Sequence, residues 1–523
     1  MDSPSRTKTR TDMYTTMNGP GEILTGIAAQ YQQKVALVTA ARTMTFAELD
    51  AASSSVAAAL HARGIRPGQV VSLYAQNRWE WLVAYHGILK SGAVVNPVNV
   101  MLIPDEVEYV LKDCRAAGIF VGESQVAAVV DVVANLPHEC KVFTFGPPTS
   151  GAVPFQELLD ETNPAPFFSP KPDEPCSIGY TSGTTGHPKG AVQSHEAVLR
   201  NCGLTATMHG RTSRDVVLTA LPAPHVYGNV VINSTWMVGG TVVLMERFSP
   251  SEALRLIGEH GATMFEGVPA MYAAMLADPA IGDANLGSLT RCTVGGQTVS
   301  TTTIDKWEQR SNAPLIELWG MTELSGLGAT HPLHMRGPRG SIGIPLPGVE
   351  ARIRSLSDST KNAKPGEAGE LQIRGPIVML AYLGNPQATD EALDAEGWLS
   401  TGDVAHMDDA GYLFIVDRLK DLIITGGYNV YPAEIERVLS AHPDVAMVAV
   451  GAVPDSIKGE LACAYVVRTS GATIAEDDLI TFSAHHLAPY KRPRMVRFVD
   501  DLPKTSSGKI MRRKLIEVFN TAS

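Results

Sequence analysis

The chain has few cysteines, and no two of them stand close together. Cys114, Cys140, Cys176, Cys202, Cys292 and Cys463 are scattered over 523 residues without a C-x-x-C pair. That excludes a zinc ribbon or a disulfide framework and fits buried free thiols in a reducing, cytoplasmic setting. No apolar run reaches the ~18 residues that a membrane-spanning helix needs. The first twenty residues carry Arg6, Lys8 and Arg10 among Ser, Thr and Asp but no apolar core, so residues 1–20 are expected to be a disordered tail rather than a secretory signal. There is no long basic patch, and the net charge is −11, which argues against nucleic acid as a partner. His331 and His334, and His485 with His486, have no third ligand nearby, so no metal is expected there.

What remains is ordinary for a globular protein: 44% hydrophobic and 19% charged residues. The length calls for two or more domains. Thr45-Phe46-Ala47-Glu48 reads as a capping box opening a helix through Leu60. A strand follows at 69–74, a helix at 79–89 and a buried strand at 93–97. The rhythm returns at Phe265–Pro269 and Leu315–Leu318. This alternation predicts α/β layers with largely parallel sheets. After about Pro345 strand and turn signals dominate, at 350–354, 369–374 and 411–416, which predicts a β subdomain. Asp417-Arg418-Leu419-Lys420-Asp421 interrupts with charge. About a hundred residues follow with a pattern of their own: a helix from Pro432, strands at 445–453 and 461–468, and a helix from Glu476. The expected organisation is a large N-terminal domain over 21–416, a hinge at 417–421 and a small C-terminal domain over 422–523.

The richest stretch is Tyr180-Thr181-Ser182-Gly183-Thr184-Thr185-Gly186-His187-Pro188-Lys189-Gly190. Four hydroxyls, three glycines and a lysine suit a loop that wraps a polyphosphate: glycine permits close approach, hydroxyls donate, and lysine adds charge. The spacing is not that of a Walker A loop. Ala191–His195 alternates, so the loop is expected to join two strands rather than to open a helix.

In this order the residues resemble the phosphate loop of the adenylate-forming superfamily, which includes acyl-CoA synthetases, aryl-CoA ligases, peptide-synthetase adenylation domains and beetle luciferases. Five further segments agree with it. Trp319-Gly320-Met321-Thr322-Glu323 is similar to the segment in which the aromatic packs on adenine, Thr322 contacts the α-phosphate and Glu323 holds Mg²⁺; the family more often has Tyr at position 319. Gly295-Gly296-Gln297 resembles the glycine-rich segment framing adenine, with Ala or Glu more usual at 297. Ser400-Thr401-Gly402-Asp403 resembles the ribose-binding turn, with Asp403 on the ribose hydroxyls and Arg418 beside it. Arg418–Glu436 is similar to the hinge, with Lys420 at the pivot and Gly426, Gly427 and Tyr428 in the loop that admits CoA. Pro503-Lys504-Thr505-Ser506-Ser507-Gly508-Lys509 resembles the terminal motif whose lysine, Lys509, bridges the attacking carboxylate and the α-phosphate.

The resemblance implies a carboxylate–CoA ligase using ATP, Mg²⁺ and coenzyme A, with a mobile C-terminal domain that serves two half-reactions in turn. His225 matches a position flanking the acid pocket and is read as a gate or wall, a buried structural histidine being the other reading. Val226, Tyr227, Gly228 and Leu324 are placed around the same pocket. None of these is basic, so the acid is expected to be apolar, fatty or aromatic. Pro503-x-x-x-x-Gly508-Lys509 also resembles the pattern read by lysine acetyltransferases, which would remove the charge on Lys509; a mass shift on Lys509 is the readout. Three rivals stay open: delivery of the acyl group to a carrier-protein thiol, a luciferase-like oxygenase, and a catalytically silent nucleotide-binding protein.

Overall fold

A computed structural model of the chain describes residues 17–161, 168–181, 188–426, 428–455, 457–503 and 510–519. It divides into two compact units. The first comprises Met1–Arg336, Pro345–Glu350 and Arg374–Gly397, and the second Gly337–Ile344, Ala351–Ile373 and Trp398–Ser523.

In the first unit the local signals act as read. The Glu48 amide donates to Thr45 Oγ1 at 3.2 Å and the Thr45 amide to Glu48 Oε2 at 2.7 Å, which starts the helix Phe46–Ala62. The strands Val70–Tyr74 and Val94–Pro97 flank the helix Trp79–Lys90 and pair in parallel, Val71 opposite Val95. Among the described residues this unit is built on sheets of eight and nine strands. In the larger one the strands Val216–Thr219, Met264–Gly267, Arg291–Val294 and Leu315–Met321 run parallel. Thr241–Leu244 and Arg291–Val294 are buried throughout, as strands covered on both faces must be. Gly19 and Pro20, expected within the N-terminal tail, are instead buried, and Pro20 opens the short 3-10 helix Pro20–Glu22; residues 1–16 lie outside the described residues. All six cysteines are buried and unpaired. Among the described residues, no helix is long and apolar enough to cross a membrane, and no group of three or more His, Cys, Asp or Glu is placed to hold a metal ion.

The second unit holds two smaller sheets. One has four strands, in the order Glu350–Ser355, Gly369–Arg374, Leu399–Met407 and Leu413–Arg418. Ser400–Asp403 was expected at a tight turn. It lies instead within the strand Leu399–Met407, where Gly402 takes a left-handed φ of 69° and interrupts the regular strand. Leu419–Asp421 form a 3-10 turn that leads to the other sheet. There Ile423–Thr425, Tyr428–Val430, Val445–Asp455, Gly459–Arg468 and Met495–Phe498 combine with the helices Pro432–Leu439 and Glu476–Ala484 around Ile435, Leu439, Val450, Val466 and Leu479. This is the α+β module expected at the C-terminus.

Candidate active site

The polyphosphate stretch begins at the end of the strand Pro175–Thr181 and returns along Lys189–Ser194. The two strands are antiparallel, with Thr181 opposite Lys189. The hairpin expected from the alternation is therefore present, and no helix follows the loop as it would in a Walker A site. Ser182, Gly183, Thr184, Thr185 and Gly186 lie outside the described residues. Two side-chain contacts hold the hairpin to the helix Pro104–Asp113: Tyr180 donates its hydroxyl to Asp113 Oδ2 at 2.6 Å, and Tyr109 reaches the Pro188 carbonyl at 3.4 Å.

Thr322 and Glu323 stand against the base of this hairpin in a 3-10 turn, Thr322–Leu324. Gln193 Nε2 donates to the Thr322 carbonyl at 2.8 Å. Gly179 must be glycine, because a Cβ there would lie 2.5 Å from Thr322 Cγ2. Asn201 Nδ2, buried, donates to the carbonyls of Leu324 and Leu327 and fixes the turn from behind. Leu324 itself is fully buried core.

Sequence reasoning missed Tyr382. It lies on the two-residue strand Ala381–Tyr382, which pairs with the loop's return strand, Tyr382 opposite Ala191. Its hydroxyl donates to Glu323 Oε1 at 2.8 Å, and the Lys189 ammonium lies 5.2 Å from the centre of its ring. Burial and the neighbouring Glu323 carboxylate push the Tyr382 hydroxyl up, so it stays a donor. The only signal in the sequence is an aromatic residue just before the turn Gly384-Asn385-Pro386. Glu323 is 6% exposed, and among the described residues its side chain is held through Oε1. One carboxylate with an oxygen to spare, beside a polyphosphate loop, fits Mg²⁺, which binds through one or two carboxylates plus phosphate oxygens.

The residues expected on the adenine side emerge from neighbouring strands. Val294 pairs with Gly267 and with Glu317, so Gly295–Gln297 and the segment from Leu318 to Glu323 follow the carboxyl ends of the paired parallel strands, where α/β sheets bind ligands. A Cβ on Gly295 would meet Leu318 Cδ1 at 2.2 Å, and Gly296 has φ 83°. Gln297 is half-buried. Trp319, 9% exposed, sits opposite Ala329 and covers Gly328, where a Cβ would meet Trp319 Cζ3 at 2.5 Å. Gly320 allows the Gly326 carbonyl to approach, while Met321 is half-buried.

His225 is exposed, which removes the reading of a buried histidine. It caps the helix Val226–Met237, its Nδ1 accepting from the Tyr227 amide at 3.2 Å. Buried Asn77 ties the preceding loop, bonding Leu221, Ala223 and Met245. Val226 lines a crevice with Tyr85, Val198, Gln193, Asn229 and Ser325, in whose wall no charged residue stands among the described residues. Tyr227 and Gly228 turn inward. The Tyr227 hydroxyl meets Thr293 at 2.8 Å; Thr293 in turn bonds Glu266, which pairs with Arg211 at 2.5 Å, both fully buried. Gly228 packs on the Pro222 carbonyl, 2.3 Å from where a Cβ would stand.

In the second unit Asp403 and Arg418 face each other across paired strands, Arg418 Nε to Asp403 Oδ1 at 2.6 Å. The Asp403 side chain is 3% exposed and that of Arg418 32%. Lys420 is exposed on the 3-10 turn. Gly426 has φ 57° in the tight connection from Ile423–Thr425 to Tyr428–Val430, and exposed Tyr428 packs on Tyr490, ring centres 4.8 Å apart. Gly427 and Lys509 lie outside the described residues.

A family model described as AMP-binding enzyme matches residues 24–383, and one described as AMP-binding enzyme C-terminal domain matches 434–509. The chain belongs to the AMP-binding enzyme family. It is 32% identical to a long-chain-fatty-acid–CoA ligase of Bacillus subtilis (strain 168), over 95% of this chain and 93% of the relative. It is 34% identical to a fatty acid–[acyl-carrier-protein] ligase, ScoC, of Streptomyces coeruleorubidus, over 95% of each chain. Among solved structures it is similar to the anthranilate CoA ligase AuaEII in complex with anthranoyl-AMP, with TM-score 0.90 and 28% identity over 98% of this chain and 99% of that one. The AMP-binding enzyme thus has the α/β fold and adenylate-forming kinship expected from its motifs, and the second family match covers most of its C-terminal α+β module.

Proposed function

We propose that this AMP-binding enzyme is an ATP-dependent carboxylate–CoA ligase acting on a fatty or aromatic acid. In the first step a carboxylate oxygen bonds the α-phosphorus of ATP and the bond to the β-phosphate bridging oxygen breaks, giving acyl-AMP and pyrophosphate. In the second the CoA thiolate bonds the acyl carbon, and the carbon–oxygen bond to phosphate breaks to release AMP. The observation that carries this reading is the convergence of Lys189, Thr322, Glu323 and Tyr382 on the polyphosphate hairpin.

The hairpin would hold the leaving pyrophosphate, Thr322 the α-phosphate, and Trp319 with Gly295–Gln297 the adenine. Asp403 and Arg418 would take the ribose. Glu323 would hold Mg²⁺, which when bound neutralises phosphate charge. Lys509 would bridge the reacting groups in the first step, and a turn about Lys420 would replace it by Gly426, Gly427 and Tyr428 for the second. His225 and Val226 would bound the acid. The buried free thiols favour a reducing, cytoplasmic setting.

The test is a pyrophosphate-release screen over alkanoic and aryl acids, with and without CoA. Acid-dependent release that yields the thioester only when CoA is present supports the reading, and no acid-dependent release overturns it. The similarity to a carrier-protein ligase favours one second reading: an acyl carrier protein accepts the acyl group where CoA does not.

A further inference from the structure

Each carbonyl of the turn Thr322–Leu324 accepts a hydrogen bond from a different part of the first unit. Thr322 accepts from Gln193 Nε2 on the hairpin's return strand at 2.8 Å, and Glu323 from the Met379 amide at 2.8 Å. Leu324 accepts from Asn201 Nδ2, on the helix His195–Met208, at 2.9 Å. Asn201 reaches further along the chain than the other two. Its Nδ2 also donates to the Leu327 carbonyl at 2.8 Å, and its Oδ1 accepts the Leu327 amide at 3.1 Å and the Thr205 hydroxyl at 3.3 Å. A side-chain amide has two donors and two acceptor sites, so these four bonds use all that Asn201 has. The residue is wholly buried.

The bonds of Asn201 bracket a strained residue. Ser325, buried between Leu324 and Leu327, has φ 58° and ψ 12°, in the left-handed region. Among the described residues only Arg115 and Asn312 join it as non-glycine residues with positive φ. Such a conformation is costly and persists only where the surroundings impose it. Here they are on the page: Asn201 fixes the peptide groups on either side. Glu323 stands two positions before Ser325, in the reversal that turns the strand Leu315–Met321 into its antiparallel partner Gly326–Thr330. Without Asn201, Ser325 can leave the left-handed region, and that relaxation redirects the backbone from which the Glu323 side chain projects.

We propose that Asn201 is a positioning residue for the magnesium carboxylate: by imposing the left-handed turn at Ser325 it aims Glu323 at the metal carried by ATP. This rests on the reading of Glu323 as the Mg²⁺ ligand. Asn201 sets the backbone, and Tyr382, bonded to Glu323 Oε1, sets the side chain. Residues that hold a metal ligand in place typically alter metal affinity by tenfold or more when replaced.

ATP binding to the full-length variants is measured by isothermal titration in Mg²⁺ and in EDTA, with no acid or CoA present. The wild type binds more tightly in Mg²⁺. In Asn201→Ala that gain falls about tenfold, while affinity in EDTA stays within about twofold of wild type. Adding Ser325→Gly to Asn201→Ala restores most of the gain, because glycine takes the left-handed conformation without strain. Thr205→Val removes only the hydroxyl on Asn201 Oδ1; it lowers the gain about threefold and decides alone if Asn201→Ala does not fold. A merely structural asparagine would lower the melting temperature and leave the gain intact. That result, or equal weakening in both buffers, overturns this proposal alone. No gain in the wild type overturns the reading of Glu323 and this proposal with it, while the pyrophosphate-release screen still judges the ligase.

Discussion

At the scale of single residues, Tyr382 separates what the sequence disclosed from what it withheld. Thr322 and Glu323 stand in a motif readable along the chain. Tyr382 is 59 positions from Glu323 and meets it only because a two-residue strand pairs with the return strand of the hairpin. No local pattern encodes a register between such distant segments. A hydrogen bond to a charged group contributes about 2 kcal/mol. Tyr382→Phe is therefore expected to lower kcat/KM for acyl-AMP formation by about thirtyfold, with little change in conversion of supplied acyl-AMP, as separate half-reaction assays will show. Lys509→Ala should abolish the first half-reaction and spare the second; equal loss of both would count against a lysine that serves one step. Tyr227 shows the opposite difficulty. Its place beside His225 suggested a pocket wall, yet its hydroxyl enters the buried chain of Thr293, Glu266 and Arg211. Sequence neighbours at a helix start point in different directions, and only packing decides which meets solvent.

At the scale of elements the pattern was more legible. Alternation after the glycine-rich stretch foretold a hairpin, and Pro175–Thr181 with Lys189–Ser194 forms one. The capping box placed the start of Phe46–Ala62. The Ser400–Asp403 stretch misled, because its glycine signals a turn in isolation. Pairing with Gly369–Arg374 and Leu413–Arg418 holds it in a strand, and the glycine appears as an irregularity there. Lys420, in the middle of the 3-10 turn Leu419–Asp421, exposes its side chain, so substitution there acts on the backbone. Proline fixes φ near −65° and restricts the residue before it. Lys420→Pro is expected to slow thioester formation more than acyl-AMP formation, judged by pyrophosphate exchange against full turnover. An equal effect on both would place the pivot elsewhere.

For the whole molecule, buried histidines set the response to acid. Burial holds His86 down at about 3 and His195 at about 4, each from an ordinary 6.5, and pushes His209 well below its usual range. All three are neutral in the folded chain, whereas the unfolded chain takes up their protons near pH 6.5. Their contribution is thus complete above that pH and is lost as the pH falls toward 4 and 3. Thermal denaturation followed from pH 7.5 to 4.5 should show a falling midpoint that begins below about 6.5; a flat profile would mean that these rings are hydrated. The cysteines bear on experiment in another way. All six are buried, and burial raises the thiol of each, to about 12 for Cys114, Cys140, Cys202 and Cys292. Thiol-directed dyes react through the thiolate, so the folded wild-type chain is in effect blank to them. Ile457, 90% exposed beside the strand Gly459–Arg468, can be replaced by cysteine to give one addressable handle on the C-terminal module. A fluorophore there could follow that module through a catalytic cycle without first stripping the native sulfurs from the core.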